Sequence, residues 1–236
     1  MDSIPPLKVY LHLLKYFGPQ GWWPVTKNSS AKPRYFPKKY KIKRDNEKFE
    51  VCVGAILTQN TAWKNVEKAL SSLNEHKLLT PEAIFRIDKN KLAQLIKPSG
   101  YYNQKAGRLK DFAGYIVKNY SGSVSRMFDK PVDELRRELL AHKGVGPETA
   151  DSMILYSANK PVFVVDSYTL RFVKRFGWMK KPDYYSTQKY FVEHLPKKLE
   201  VFNEYHALIV ALGKDYCKKT PVCSKCMLAR FCRKGK

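Results

Sequence analysis

Acidic residues are scarce in this chain: 21 Asp and Glu stand against 44 Lys and Arg, a formal net charge of +23 over 236 residues. Such a molecule repels itself and attracts polyanions, which favours nucleic acid as the partner over the alternative, an acidic membrane surface. Long apolar runs are missing too. The N-terminal "MDSIPPLKVYLHLLKYFG" lacks the uniform apolar run of a signal peptide, and no stretch approaches the roughly 18 apolar residues that span a bilayer. The expectation is an intracellular protein of the cytoplasm or nucleoid, with no membrane partner. Strand signals are nearly absent, since only "PVFVVD" reads as extended, and no internal repeat is visible. The five histidines (His12, His76, His142, His194 and His206) form no spaced pair, so they read as structural or surface residues.

What is present is helix and core. Apolar residues make up 44% of the chain, enough to bury a real core in one large domain or two lobes. Apolar spacing near 3.6 recurs from "PLKVYLHLLKYF", with Leu7, Tyr10, Leu11, Leu14 and Phe17 on one stripe, to "EYHALIVALG". An all-α protein of about ten helices follows. Residues 24–48 break the pattern: three prolines, nine basic and two acidic residues read as a flexible basic loop, a solvated linker or a phosphate-touching segment.

In "LLAHKGVGPETADSMILY" a glycine turn runs between two apolar helices. Gly144 and Gly146 can take positive φ and turn their N–H groups outward, so Lys143, Gly144, Val145 and Gly146 suit a phosphate oxygen at a helix start. The turn grips backbone without reading sequence. With no strand before it, a dinucleotide-binding fingerprint is excluded. Pro147 and Glu148 fit a helix start, where an acid in the first turn is favourable in itself. Asp166 in "FVVDSYTLRF" opens the next basic helix as an N-cap. A helix N-terminus also keeps a carboxylate ionised where water is scarce, and such a group stabilises the cationic sugar formed as a glycosidic bond breaks.

Of the five cysteines, Cys52 stands alone in an apolar run and reads as a buried thiol. Cys217, Cys223, Cys226 and Cys232 form a C-x5-C-x2-C-x5-C set whose four thiolates suit zinc or a [4Fe–4S] cluster. Basic residues fill and follow it (Lys218, Lys219, Lys225, Arg230, Arg233), giving a structural loop that presents cations to DNA.

Helix, "KGVGPETA", an extended segment ending in Asp166 and a terminal four-Cys loop together resemble the endonuclease III superfamily of helix-hairpin-helix (HhH-GPD) DNA glycosylases, from about residue 48 to Cys232. The resemblance implies a two-lobed all-α fold. A six-helix barrel would span 48–160 with its hairpin at 135–158, residues 1–47 and 161–236 would form the second lobe, and 217–232 would hold a [4Fe–4S] cluster. The first cysteine spacing is five residues where the family usually has six, so zinc remains the alternative.

In bifunctional members a lysine occupies the place of Glu148, and a carboxylate cannot form its imine. The resemblance therefore implies a monofunctional enzyme acting on double-stranded DNA as a monomer, with Asp166 supporting departure of the base and attack of water. "TQNT" matches the segment that fills the gap left by an extruded base, with Gln59 as the plug and Asn60 nearby. Trp22, Trp23, Pro24 and Trp63 are candidate walls for the flipped base. An acid in the lysine's place and "WWP" occur in archaeal-type uracil glycosylases and in 3-methyladenine glycosylases of type III. The cysteines favour uracil, while stacked Trp faces favour cationic alkylated purines. A bifunctional lyase, a non-catalytic hairpin protein that binds distorted duplexes, and a zinc-stapled RNA-binding module are the other readings. Tyr101 and Tyr102 read as packing residues, and Lys105 and Arg108 as phosphate contacts.

Overall fold

A computed structural model describes residues 4–27 and 30–235. Among them are twelve α-helices and no strand, apart from one isolated antiparallel bridge between Val25 and Arg34. The chain forms two compact units, Trp23–Lys160 and Met1–Trp22 with Pro161–Lys236. None of the helices is long and apolar enough to cross a membrane.

The first of these units holds α2 (Asp45–Leu57), α3 (Trp63–Glu75), α4 (Pro81–Arg86), α5 (Lys89–Leu95), α6 (Tyr102–Tyr120), α7 (Val124–Phe128), α8 (Val132–Leu140) and α9 (Pro147–Ser152). Helix α2 buries Phe49 and the whole run from Val51 to Leu57, as a helix apolar all round must. Its neighbours bury single stripes: α3 buries Val66, Ala69, Leu70 and Leu73, and α6 buries Leu109, Phe112, Ala113 and Ile116. Side-chain caps set the short helices, with Thr80 accepting from the Ala83 amide, Asp88 from Asn90 and Lys91, and Ser123 from Arg126. Cys52 is fully buried, as expected, and burial pushes its thiol up to about 12.

The basic segment departs from expectation in two ways. Residues 45–48 are already helical, and residues 23–44 group with the helical unit rather than with the chain termini. Polar pins explain this. Both Glu50 carboxylate oxygens accept from the Thr26 amide (3.0 and 2.9 Å), and Oε1 also accepts from the Thr26 hydroxyl (2.7 Å). Asn159, at φ 56, accepts from the Ile42 amide and donates to the Ile42 carbonyl. Trp23 lies against Gly54, where an added Cβ would come within 3.0 Å of its indole nitrogen.

The second unit packs α1 (Pro6–Phe17), α10 (Ser167–Phe176), α11 (Tyr184–His194) and α12 (Leu199–Asp215). The buried face of α1 is Pro6, Val9, Tyr10 and Leu13, not the expected stripe; Leu7 and Leu11 are exposed at 38% and 55%. Val9 and Leu13 stack one turn apart, while the more numerous leucines lie on the flank. "PVFVVD" is extended but pairs with no strand. Phe163, Val164 and Val165 are buried in it, and Phe163 stacks on Phe191 at 4.2 Å.

Glu50 gives the helical unit a pH dependence. It is 2% exposed, and burial lifts its carboxyl to about 7 against the Thr26 hydrogen bonds that lower it. From the unfolded carboxyl value up to about 7 the native state therefore holds the proton more tightly, and stability falls as pH rises, by at most roughly 1.4 kcal/mol per pH unit. Denaturant melts at successive pH values should show this slope in the wild type and its loss in Glu50→Gln; equal slopes would place its origin elsewhere.

Candidate functional site

The expected hairpin is present. Helix α8 buries Leu135 and Leu139, a turn follows, and α9 begins with Pro147 at its first position and no side-chain cap. Of its two glycines only Gly144 takes positive φ, at 83°. Gly146 is extended (φ −92°, ψ 177°) and serves as N-cap of α9, so the expected left-handed role falls to Gly144 alone. Gly144 is required for a second reason: a Cβ there would lie 2.2 Å from the Arg108 Nε. Arg136 on α8 grips the fully buried Asp151 on α9 with two hydrogen bonds, at 2.7 and 3.1 Å, which fixes the two helices to each other. Val145 is buried beneath the turn, while Lys143 and Glu148 are exposed. Helix α9 continues into a π-helical stretch, Met153–Ser157.

The "TQNT" segment is a tight turn closed by the Thr61 amide on the Thr58 carbonyl at 3.0 Å. Gln59 is brought to the hairpin: its Nε2 donates to the Gly144 carbonyl (2.8 Å) and the Thr149 hydroxyl (3.0 Å), and its Oε1 accepts from Arg108 Nη1 (2.6 Å). Asn60, next to it, is exposed and left-handed at φ 53.

Lys105 was expected at a phosphate and is instead buried at 1% exposure. Its ammonium donates to the Leu57 carbonyl (2.7 Å), the Ser99 carbonyl (2.8 Å) and the Thr61 hydroxyl (2.8 Å). Burial, with the Arg108 charge second, pulls its pKa down to about 8. The signal was in the sequence, since Lys105 shares the helical spacing of Leu109, Phe112 and Ile116 and so lies on the core face of α6. Tyr101, expected to pack, is 71% exposed and sits at φ 46 before α6.

The aromatic candidates divide between the units. Trp23 is 8% exposed and packed as core, edge-on to Trp63 at 5.3 Å and beside Tyr156 at 5.4 Å, with Pro24 buried after it. Trp22 is half-buried in the other unit, where the Lys214 ammonium lies 5.9 Å from its ring centroid.

In that same unit Asp166 caps α10. Its Oδ1 accepts from the Thr169 amide (2.7 Å) and hydroxyl (2.8 Å), and its Oδ2 lies 3.7 Å from Nε2 of His206 on α12. Asp166 is 8% exposed. Burial alone would raise its pKa, but His206 and the Thr169 donors outweigh it and hold the carboxyl below the usual carboxylate range. His206, read from sequence as a structural or surface residue, thus faces the candidate carboxylate, and no spacing in the sequence marked it.

Cys217, Cys223, Cys226 and Cys232 line one cavity of about 400 Å³, walled by Phe172, Phe176, Leu212 and Leu228. Burial pushes the Cys226 thiol up, and its three partner cysteines add to the shift. Arg175 donates to the Cys217 sulfur at 3.5 Å and to the Lys219 carbonyl at 2.7 Å, and Arg171 donates to the Cys217 carbonyl at 2.8 Å. No three His, Cys, Asp or Glu among the described residues are gathered tightly enough to hold a single ion. Four sulfurs spread around an apolar cavity fit a multi-atom cluster better than one small cation.

A family model, the HhH-GPD superfamily base excision DNA repair protein, matches residues 53–197. A provisionally assigned DNA repair glycosylase of Methanocaldococcus jannaschii is 45% identical over 228 residues, covering 95% of this chain and 94% of that one. Among solved structures, an endonuclease III in non-covalent complex with DNA superposes with a TM-score of 0.77 over 97% of this chain and 94% of its own, at 24% identity. A Helicobacter pylori 3-methyladenine DNA glycosylase bound to 1,N6-ethenoadenine gives 0.68 at 30% identity, over 88% and 95%. The chain belongs to the HhH-GPD superfamily of base excision DNA repair glycosylases.

Proposed function

We propose that the protein is a monofunctional DNA glycosylase that removes uracil from double-stranded DNA and leaves an abasic site. The observation that carries this reading is Asp166, a carboxylate kept ionised in a buried place by its cap donors and by His206. As the C1′–N bond breaks, both electrons leave with the base and positive charge grows on the sugar, where a fixed anion is most stabilising. The oxygen of a water then bonds to C1′ and gives up a proton, which Asp166 is suited to accept. The first turn of α9 carries Glu148, which has no amine with which to form an imine.

Lys214 supports a neutral base over a cationic alkylated purine. An ammonium 5.9 Å from the Trp22 ring centroid already uses the attraction of that ring and repels a second cation. The alkylated-purine reading draws on the "WWP" aromatics and on the likeness to the 3-methyladenine glycosylase.

The four cysteines are suited to hold a [4Fe–4S] cluster, which when bound would crosslink the tail. Lys218, Lys219, Lys225 and Arg230 would then be held in one loop facing the phosphate backbone, alongside the hairpin residues Lys143 to Gly146.

Asp166→Asn should slow single-turnover release of uracil by about 10²-fold or more while duplex binding persists; an unchanged rate would remove Asp166 from the chemistry. Borohydride should fail to trap the wild type on uracil-containing DNA, whereas covalent capture would reveal a lysine nucleophile. A parallel duplex carrying 3-methyladenine decides between the two substrate readings. Purified protein should be brown and bleach with dithionite; a colourless zinc protein would reverse the cluster assignment.

The hairpin makes a separate prediction. Gly144→Ala must place a Cβ against Arg108 in a left-handed conformation, costing roughly 1–2 kcal/mol of stability and weakening binding to undamaged duplex. Gly146→Ala meets open space at an ordinary φ and should be tolerated. Equal effects of the two would show that the turn geometry is irrelevant to DNA binding.

A further inference from the structure

The tight turn at 58–61 presents two amide side chains, and the structure treats them differently. Both amide hydrogens of Gln59 are donated, to the Gly144 carbonyl and the Thr149 hydroxyl, and its oxygen accepts from a guanidinium. The orientation of that amide is fixed by its partners, because Arg108 can only donate and a carbonyl can only accept. Entering DNA would require Gln59 to abandon three hydrogen bonds, one of them charge-assisted, and to leave the hairpin carbonyl without its donor.

Asn60 is placed in the opposite way. It occupies the turn position that takes positive φ, is exposed, and its side chain has no hydrogen-bond partner among the described residues. The turn beneath it is held on both sides. Lys105 grips the Leu57 carbonyl before it and the Thr61 hydroxyl after it. The Thr61 hydroxyl also donates to the Ser99 carbonyl, and Gln59 ties the turn to the hairpin. A short amide at the tip of a rigid turn can approach an emptied base stack with no protein hydrogen bond to break, and it carries both a donor and an acceptor for the edge of the orphaned base.

We propose that Asn60, and not Gln59, is the side chain that enters the duplex where a nucleotide has been extruded, and that Gln59 is a positioning residue that locks the turn to the hairpin. This rests on the base-extruding glycosylase reading. It reassigns the plug expected from the sequence.

The bland account of Asn60 is that asparagine tolerates a left-handed backbone, and Asn60→Gly separates the two accounts because glycine keeps that backbone and removes the amide. The probe is a duplex containing a tetrahydrofuran abasic-site analogue, compared with the same duplex undamaged, with affinities measured by fluorescence anisotropy on the full-length protein. The wild type should prefer the abasic duplex. Asn60→Gly should lose about tenfold of that preference, the scale of one well-placed hydrogen bond, with Tm and binding to undamaged duplex unchanged. Gln59→Ala should lower Tm. If Asn60→Gly itself proves less stable, Asn60→Asp, which also tolerates the left-handed turn, supplies the measurement: its carboxylate lacks the donor and should lose the preference to at least the same degree. A full preference retained by Asn60→Gly, or lost only in a Gln59→Ala protein of unchanged Tm, overturns the assignment. A wild type with no preference at all would overturn the base-extruding reading instead.

Discussion

A single ammonium ion with no carboxylate beside it fixes the most functional part of the helical unit. Lys105 is the one Lys or Arg among the described residues that is buried, and three oxygens accept from it: the last carbonyl of α2, the Ser99 carbonyl and the Thr61 hydroxyl. A buried charge without such partners would cost several kcal/mol, so the chain around it is obliged to keep those oxygens converged. That obligation sets the turn at 58–61. The turn in turn sets where Gln59 reaches, and Gln59 reaches the hairpin carbonyl at Gly144. Arg108, one helical turn beyond Lys105 on α6, closes the circuit by holding the Gln59 oxygen and occupying the space that Gly144 leaves by having no side chain. Two cations of one helix thereby register a phosphate-gripping turn against the turn that faces the base stack.

The scarcity of acid has a structural counterpart. Glu47, Glu50, Asp151, Asp166 and Glu204 are buried, against one base. Several of these acids are satisfied by N–H and O–H groups: Glu50 by Thr26, Asp166 by Thr169, and Glu204 by the Gln20 amide at 2.6 Å. Asp151 alone takes a bidentate arginine. Anchoring acids on backbone amides leaves nearly all the Lys and Arg side chains at the surface, where they raise the field felt by a polyanion. The few acids are thus pins of the interior, and the charge of the exterior is left almost uncompensated.

Helix positions were legible because burial on one face imposes a 3.6 period, and the four-Cys tail was legible because its residues are close in sequence. Pins between distant residues leave no such trace. Nothing local in "PVTKNSS" foretells that Thr26 will find Glu50, or that Ile42 will find Asn159, and these contacts draw the basic segment into the helical unit. The buried face of α1 was misassigned for a related reason: leucine count pointed to Leu7 and Leu11, but the face that packs is the one carrying Val9 and Leu13. Trp23 read as a pocket wall because tryptophan is prized in recognition, yet Gly54 makes a flat seat for it in the core. Lys105 is the opposite lesson, a charged residue whose helical spacing marked it for burial all along.

The cap at Asp166 joins local structure to chemistry. Capping engages one carboxylate oxygen with the Thr169 amide and hydroxyl, which satisfies an orphan donor of the helix and at the same time fixes the plane of the carboxylate. The other oxygen is then aimed by geometry rather than by a second hydrogen bond, with His206 at 3.7 Å as its nearby partner. An imidazole at that range can supply charge without saturating the oxygen, so the carboxylate is both ionised and left with capacity to accept a proton or face a cation. An ordinary helix start therefore already contains most of what a glycosylase asks of its carboxylate, and the addition special to this fold is the histidine that α12 delivers beside it.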